Sequence, residues 1–423
     1  MDASSSFLCE TAAIREQASR QSLAETVPED VLALVFRRLN NLNHFLSFGA
    51  VCRRLHGIST KHKTEFMTKL FPLLVIEDYL GYIGIFFGFP NHSTRTFHRF
   101  VKVRDIDPKF ECYGSSHGWL IVGERERRGR RWNTTLGKRK MRLLNPVSGQ
   151  QLSLPDFSWP DVEKVYPHGC KFVLSSNPSS SSSATGTTCF VAAAAFSLHP
   201  EAMGYDFPLA FAPVDRDAHE WTRIKHDRFC EDIIFFKDKL YGIGAPFGTI
   251  LCVEDIDEAI AAGRSGTGVT EIFSLGWNDQ NSPLNPYNFG SYHHYLAESQ
   301  GNLLAIQTAM RWVRNQGTLH IYKLILDYVD DSTNGSSTST TKPAATWSFT
   351  QVYSLNDQVL FIGINSSISI PVSSSNSSLK NCVLSVVDRK GVSIREIGVN
   401  SLEEPITIPD ISSRPMFWHT PTI

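Results

Sequence analysis

The sequence has no long apolar run. Its longest are Tyr79 to Phe89, broken by three glycines, and Cys189 to Leu198. Neither approaches the ~20 residues that span a bilayer as a helix. Closely spaced cysteines are also missing. The eight, at 9, 52, 112, 170, 189, 230, 252 and 382, come no nearer than the 19 residues between Cys170 and Cys189. That excludes CxxC zinc or redox pairs and does not resemble a disulfide framework. Several are flanked by apolar residues and read as buried thiols, which points to a reducing compartment, nucleus or cytoplasm. Excess charge of one sign is absent: Lys plus Arg is 41 and Asp plus Glu is 42, a net charge of −1. An even balance gives no global pull on nucleic acid or a membrane surface. Met1 to Val27 is Ser-rich and polar and lacks the basic-then-apolar order of a secretory signal. The sequons at Asn91 and Asn133 therefore carry no weight.

What is present suggests more than one unit. The 423 residues exceed one usual domain. Hydrophobic residues at 42% and charged ones at 20% fit a globular chain. Residues 1–25 read as disordered or weakly helical. A helical signal follows over 26–70. Thr26, Pro28 and Glu29 read as a helix start, with Thr26 as cap and Glu29 completing a capping box. Val31, Leu32, Val35, Phe36 and Leu39 then form one helical stripe. Shorter helical pieces follow with Phe45, Leu46 and Phe48, then Val51, Cys52, Leu55 and Ile58, then about His62 to Leu70. A module of this size buries too little of its own apolar surface and calls for a partner.

From residue 71 to 423 helical periodicity nearly vanishes. Short apolar runs alternate with turn residues, among them Trp119 to Val122, Ile233 to Phe236, Leu303 to Ile306 and Val359 to Ile362. This is an all-β pattern, interrupted by a helix-like Asp255 to Ala262. The runs repeat as strand, polar turn, strand: Ile233 to Ile243, Tyr295 to Ile306 and Val352 to Ile362. From Trp119 to Val359 the repeat averages about 60 residues, longer than the ~40–50 of a propeller blade. The excess lies in polar inserts, Ser175 to Thr188, Asp331 to Thr346 and Ser366 to Ser378, read as flexible loops. The fold expected is mainly β: a β-propeller of about six blades with a small all-α N-terminal domain.

Val27-Pro28-Glu29-Asp30-Val31-Leu32, Leu39, and Ala50-Val51-Cys52-Arg53-Arg54-Leu55-His56 resemble an F-box. The departures are Val27 for the usual Leu and Leu55 for the usual Trp. The remainder resembles the plant F-box family with a KIB-type, kelch-related β-propeller. The carrying residues are Ser116-His117-Gly118-Trp119-Leu120, Leu144-Asn145-Pro146 with Ser148-Gly149, Ser354 to Gly363, and Asn381-Cys382 with Gly391-Val392. The resemblance implies a substrate-recognition subunit of an SCF-type E3 ubiquitin ligase, active in protein ubiquitination. The F-box would bind a Skp-type adaptor, and through it a cullin scaffold, by Pro28, Leu32, Val35, Phe36, Leu39, Val51 and Leu55. The propeller would bind an unknown protein substrate. The alternatives are a ligase-independent propeller that regulates a partner such as a kinase, and a propeller enzyme or sugar-binding protein with a carboxylate-rich channel.

Chemistry-bearing patterns are weak, and the chain reads as no enzyme, with no catalytic residue, no metal and no cofactor. Gly114-x-Ser116-x-Gly118 matches a hydrolase elbow, but a strand follows it where an elbow leads into a helix. Gly242-x-Gly244 to Gly248 lacks the helix N-terminus of a phosphate cradle and reads as a hairpin turn. His293 and His294 would face opposite sides of a strand; they read as loop residues, as do His92 and His98. Nine basic residues between Arg125 and Arg142 read as a solvated hairpin loop, with an import signal or acidic docking patch as the sharper reading. Trp277, Tyr287, Phe289, Tyr292 and Tyr295 form an aromatic stretch that is either a contact surface or a loop anchor.

Overall fold

A computed structural model divides the chain into two compact units, Met1–Phe71 and Pro72–Ile423. It describes residues 26–39, 42–67, 72–77, 83–87, 99–102, 110–124, 139–157, 170–178, 188–195, 209–214, 220–224, 230–244, 249–262, 269–274, 292–310, 317–328, 345–363, 367–372, 379–387, 391–397 and 417–419. The N-terminal segment read as disordered lies outside these residues.

The first unit holds four helices: α1 (Glu29–Arg37), α2 (Leu42–Ala50), α3 (Arg53–Lys61) and α4 (Lys63–Met67). The helix cap does not fall at Thr26 as expected. Pro28 occupies the cap position instead, and its carbonyl accepts from the amides of Val31 and Leu32 at 3.1 and 3.2 Å. A proline cap offers no side-chain acceptor, so Glu29 and Asp30 in the first turn oppose the positive helix end electrostatically. Four rings fill the interior. Phe36 lies 5.5 Å from Phe45, 5.6 Å from Phe48 and 5.9 Å from Phe66, and Phe45 stacks on Phe66 at 4.5 Å. Offset and edge-on ring contacts of this kind add to the area buried.

The second unit is a propeller built from six four-stranded sheets. The second to fifth are antiparallel meanders of consecutive strands: β4 (Phe110–Ser116) to β7 (Gln151–Phe157), β8 (Cys170–Leu174) to β11 (Thr222–Ile224), β12 (Asp232–Phe236) to β15 (Val269–Ser274), and β16 (Tyr292–Ser299) to β19 (Ala345–Gln351). In the first sheet β1 (Leu73–Glu77), β2 (Ile83–Phe87) and β3 (Arg99–Lys102) are joined by the C-terminal β24 (Phe417–His419), which pairs antiparallel with β1. Strands from both ends of the unit thus close one blade. Trp418 seals it: its ring is buried 4.8 Å from Phe361, and its indole N–H donates to the Ile362 carbonyl at 3.1 Å. Trp418→Phe keeps an aromatic ring there but strands that carbonyl. The change is expected to cost about 1–3 kcal/mol, read as a lower urea midpoint at unchanged slope.

These five sheets are regular blades, and the sixth is not; this corrects the expectation of about six. Its order is β21 (Ile368–Pro371), β20 (Gln358–Ile362), β22 (Cys382–Val387) and β23 (Gly391–Glu396), and β20 runs parallel to β22. The cause lies upstream. In three of the regular blades, the second, fourth and fifth, the innermost strand turns into the second through two residues at positive φ: His117 and Gly118, Lys237 and Asp238, Gln300 and Gly301. Such turns match the twist of paired strands. Asn356, at φ 58°, repeats the signal, but the segment before it forms no strand. The Val352 amide is held by the Ile321 carbonyl at 2.8 Å, in β18 (Gly317–Tyr328). The Leu355 amide is held by the Asn381 side chain at 2.7 Å. The inner place passes to β21 (Ile368–Pro371), which lies within the insert read from sequence as a loop. Its Ile-Ser-Ile alternation is strand-like, but three residues are too few to outweigh the surrounding serines.

The inner strands β4, β8, β12, β16 and β21 follow one another side by side, and β24 lies beside β4. Apolar layers fill the gaps between blades. Trp119, fully buried, joins Phe172, Leu174 and Val191 between the second and third blades. Ile233 and Leu240 meet Phe211 between the third and fourth. The backbone approaches closely at Gly242 in β13 (Lys239–Gly244): a Cβ there would lie 2.8 Å from the Cys230 sulfur. The Asp255–Ala262 helix forms as α5 (Ile256–Ala262), started by the Asp255 side chain, which accepts from the Glu258 amide at 2.9 Å.

Candidate functional sites

The helical unit splits the expected adaptor-binding residues. Leu32, Phe36 and Leu55 point inward and are buried in the unit's own core. Leu39 is half-buried. Pro28, Val35 and Val51 lie on the surface, Val35 being 48% and Val51 66% exposed. Val31, Leu34 and Leu46 are also exposed. A helix of nine residues with apolar side chains on two faces can bury one face internally and present the other. Of the stripe read from periodicity, Leu32 and Phe36 face inward, Leu39 is half-buried, and Val31 and Val35 are exposed. Leu34, missed by the sequence reading, belongs to the outer face. Leu55, standing where the F-box pattern has Trp, is an interior residue, so that departure bears on packing within the unit.

The propeller centre carries a second arrangement. Asp232, at the start of β12, is buried with Lys171 of β8 in an ion pair. The same carboxylate accepts from the Ile233 amide and, through its other oxygen, from the Leu296 amide of β16, each at 2.8 Å. One side chain therefore ties three neighbouring inner strands. Burial pulls the Lys171 ammonium below its ordinary value. The adjoining carboxylate opposes that pull, since a nearby opposite charge favours the ammonium.

Glu231 repeats the device one residue earlier. Its carboxylate accepts from the His294 amide at 2.7 Å and meets the His294 Nδ1 at 3.0 Å, while His294 Nε2 lies 3.0 Å from the Gln307 amide nitrogen. Burial raises the Glu231 pKa, but the charge and hydrogen bonds of His294 outweigh it, and the net shift is downward. A depressed carboxylate adds stability above its ordinary value of 4.5, and that increment is lost as the pH falls through the folded-state value. Urea midpoints taken from about pH 6 down to about pH 3 should fall more steeply for the natural protein than for Glu231→Gln.

Several patterns singled out in the sequence turn out to be structural. His293 and His294 are in strand β16, not in a loop, and the His294 ring lies between Glu231 and Gln307. Ser116 accepts the Leu174 amide at 3.0 Å, binding β4 to β8. The residue after Gly118 opens strand β5 (Trp119–Glu124), so no nucleophile elbow exists. Gly242 and Gly244 lie in β13, not in the turn. Asn145 makes the turn after β6 (Arg139–Leu144), its side chain accepting from Val147 and Ser148 amides at 2.9 and 3.0 Å. Most of the basic segment, residues 125–138, is outside the described residues. Its tail is strand: Arg139 turns inward onto Glu111 and Tyr113, and Arg142 lies 4.8 Å over the Phe110 ring. Trp277, Tyr287, Phe289, His92 and His98 are also outside them, and Tyr295 packs partly buried against a blade core.

Cys112 and Cys230 are buried thiols, each pushed up to about 12 by desolvation. Among the described residues no three of His, Cys, Asp and Glu are placed to hold a metal. No described helix is long and apolar enough to cross a membrane. One surface had no sequence signal: Phe349 and Tyr353 are exposed on the outer edge of the fifth blade, with Tyr322 5.5 Å from Phe349. Two aromatics four positions apart show no periodic pattern that marks exposure.

The strand order and the ring of inner strands define a β-propeller preceded by a small helical unit. Residues 86–401 match the model of the KIB1-4 beta-propeller, and the chain belongs to that family. A search of curated proteins gives no match. Among solved structures the chain is similar to a luciferin-regenerating enzyme, at 11% identity over 79% of this chain and 92% of that one, with a TM-score of 0.28. A likeness this slight carries no argument about function.

Proposed function

We propose that the chain is the substrate-recognition subunit of an SCF-type ubiquitin ligase, with the four-helix unit as its F-box and the propeller holding the protein to be ubiquitylated. The observation that carries this reading is the outward apolar face of Val31, Leu34, Val35, Leu46 and Val51. It sits on a unit whose sequence resembles an F-box, and exposed apolar patches on so small a module mark interaction sites. The partner is a Skp-type adaptor and, through it, a cullin scaffold. The chain works in the nucleus or cytoplasm of a plant cell and performs no chemistry itself; transfer of ubiquitin belongs to its partners. A buried Leu55, inside the unit and away from the outer face, supports this over the ligase-independent reading, since its replacement of Trp leaves that face intact. Co-expression with a plant Skp-type adaptor tests the proposal. A complex that co-purifies is the expected result. Failure of the natural protein to bind any such adaptor would leave a stand-alone interaction propeller that regulates a partner.

A further inference from the structure

Residues on or next to five neighbouring inner strands, β4, β8, β12, β16 and β21, line a cavity of about 420 Å³ at the propeller centre. That size suits a small ligand or one long side chain. Val173, Leu174, Ile233, Phe235 and Leu296 give it apolar surface. Three of its lining residues are titratable: His117, Lys171 and Glu298. Desolvation by the surrounding protein lowers the His117 pKa below the ordinary 6.5, so the ring is neutral at pH 7 and above. The Lys171 charge is cancelled by Asp232, its ion-pair partner. A Lys171 without its proton would leave that pair negative. Glu298 is exposed and makes no ion pair among the described residues. The cavity is therefore net negative whichever form Lys171 takes, and it favours a cationic guest over phosphates and carboxylates.

The hydrogen-bonding groups select the same class. Gln300 stands at φ 52° in the tight turn after β16, and its amide nitrogen donates to the Asp357 carboxylate at 3.5 Å. Its carbonyl oxygen is thereby left as an acceptor. Two lining hydroxyls are engaged: Ser116 accepts from the Leu174 amide at 3.0 Å, and Ser369 lies 2.8 Å from the Ser299 hydroxyl. The Glu298 carboxylate and the Gln300 carbonyl, both on exposed residues, can thus receive donors from a guest. A guanidinium or ammonium group carries donors and no acceptor. The alkyl stem of an arginine or lysine covers apolar surface while its head stays in polar surroundings, which matches the five apolar side chains beside these two acceptors.

We propose that this cavity takes one arginine or lysine side chain of the protein that the propeller holds. The inference rests on the propeller being the part that binds the target, and it needs no adaptor, so its test is separate from that of the ligase reading. The full chain is titrated with the N-acetyl N-methylamides of arginine, lysine and glutamine and with spermidine, followed by saturation-transfer NMR and calorimetry. At least one of the two cationic amides should bind with a Kd of about 1 mM, the glutamine amide should not, and affinity should fall as salt is raised. Glu298→Gln, nearly isosteric at an exposed position, should weaken binding about tenfold while the melting temperature holds. Failure of both cationic amides to bind, equal binding of the glutamine amide, affinity unchanged in Glu298→Gln, or binding of spermidine alone would each overturn the proposal. A chain that binds a cationic amide but no Skp-type adaptor would keep this site and lose the ligase reading.

Discussion

Asp232→Ala should destabilise the propeller by about 3–5 kcal/mol, because it leaves the Lys171 ammonium buried without its counter-charge. The Leu296 and Ile233 amides lose their acceptor in the same step. For a chain of this size a melting-temperature fall of roughly 10 °C follows, at about 2–4 °C for each kcal/mol. The loss should depend on pH, with a sign that identifies its source. In the variant the buried lysine is better tolerated neutral, so its folded-state pKa lies below its unfolded one. Stability of the variant then rises with pH across that interval, and the gap to the natural protein narrows in alkali. The pair change Lys171→Met/Asp232→Leu removes both charges and should recover most of the loss, leaving the cost of two unsatisfied amides. Thermal unfolding at several pH values checks this. A variant within about 1 kcal/mol of the natural protein at neutral pH would show that the pair contributes no more than an exposed one.

Val35→Asp/Val51→Asp should abolish co-purification with the Skp-type adaptor and leave folding unchanged. Each valine, if covered by a partner, is worth about 1.5–3 kcal/mol, and a carboxylate in its place adds an unpaired charge to the contact. Affinity should fall at least a hundredfold, by roughly 1.4 kcal/mol per tenfold. Both side chains are exposed in the chain by itself, so circular dichroism should show no loss of helix. Phe36→Ala provides the contrast. It empties the centre of the four-ring cluster and should cost about 3–5 kcal/mol, losing the adaptor by unfolding the unit. Leu32→Asp would act the same way, being buried. A Val35→Asp/Val51→Asp protein that still binds the adaptor would remove the outward face from the proposed interface.

The amino-acid sequence by itself determined the division into a short helical unit and a long β unit, and the propeller class of the second. Both follow from local pattern: the 3.6-residue stripe around Leu32 and Phe36, and the strand-turn-strand repeat around His117, Lys237 and Gln300. Periodicity names the apolar residues of a helix without saying which face the neighbouring helices cover. Only tertiary packing sent Leu32, Phe36 and Leu55 inward and left Val35 and Val51 outside. The irregular sixth sheet was likewise decided in three dimensions. Val352 found a partner in Ile321, and the inner place fell to a strand hidden among serines. The Asp232 tie joins residues 61 and 64 positions apart. Separations of that length leave no local signal, because closing the ring, not the spacing of neighbours along the chain, brings those groups together.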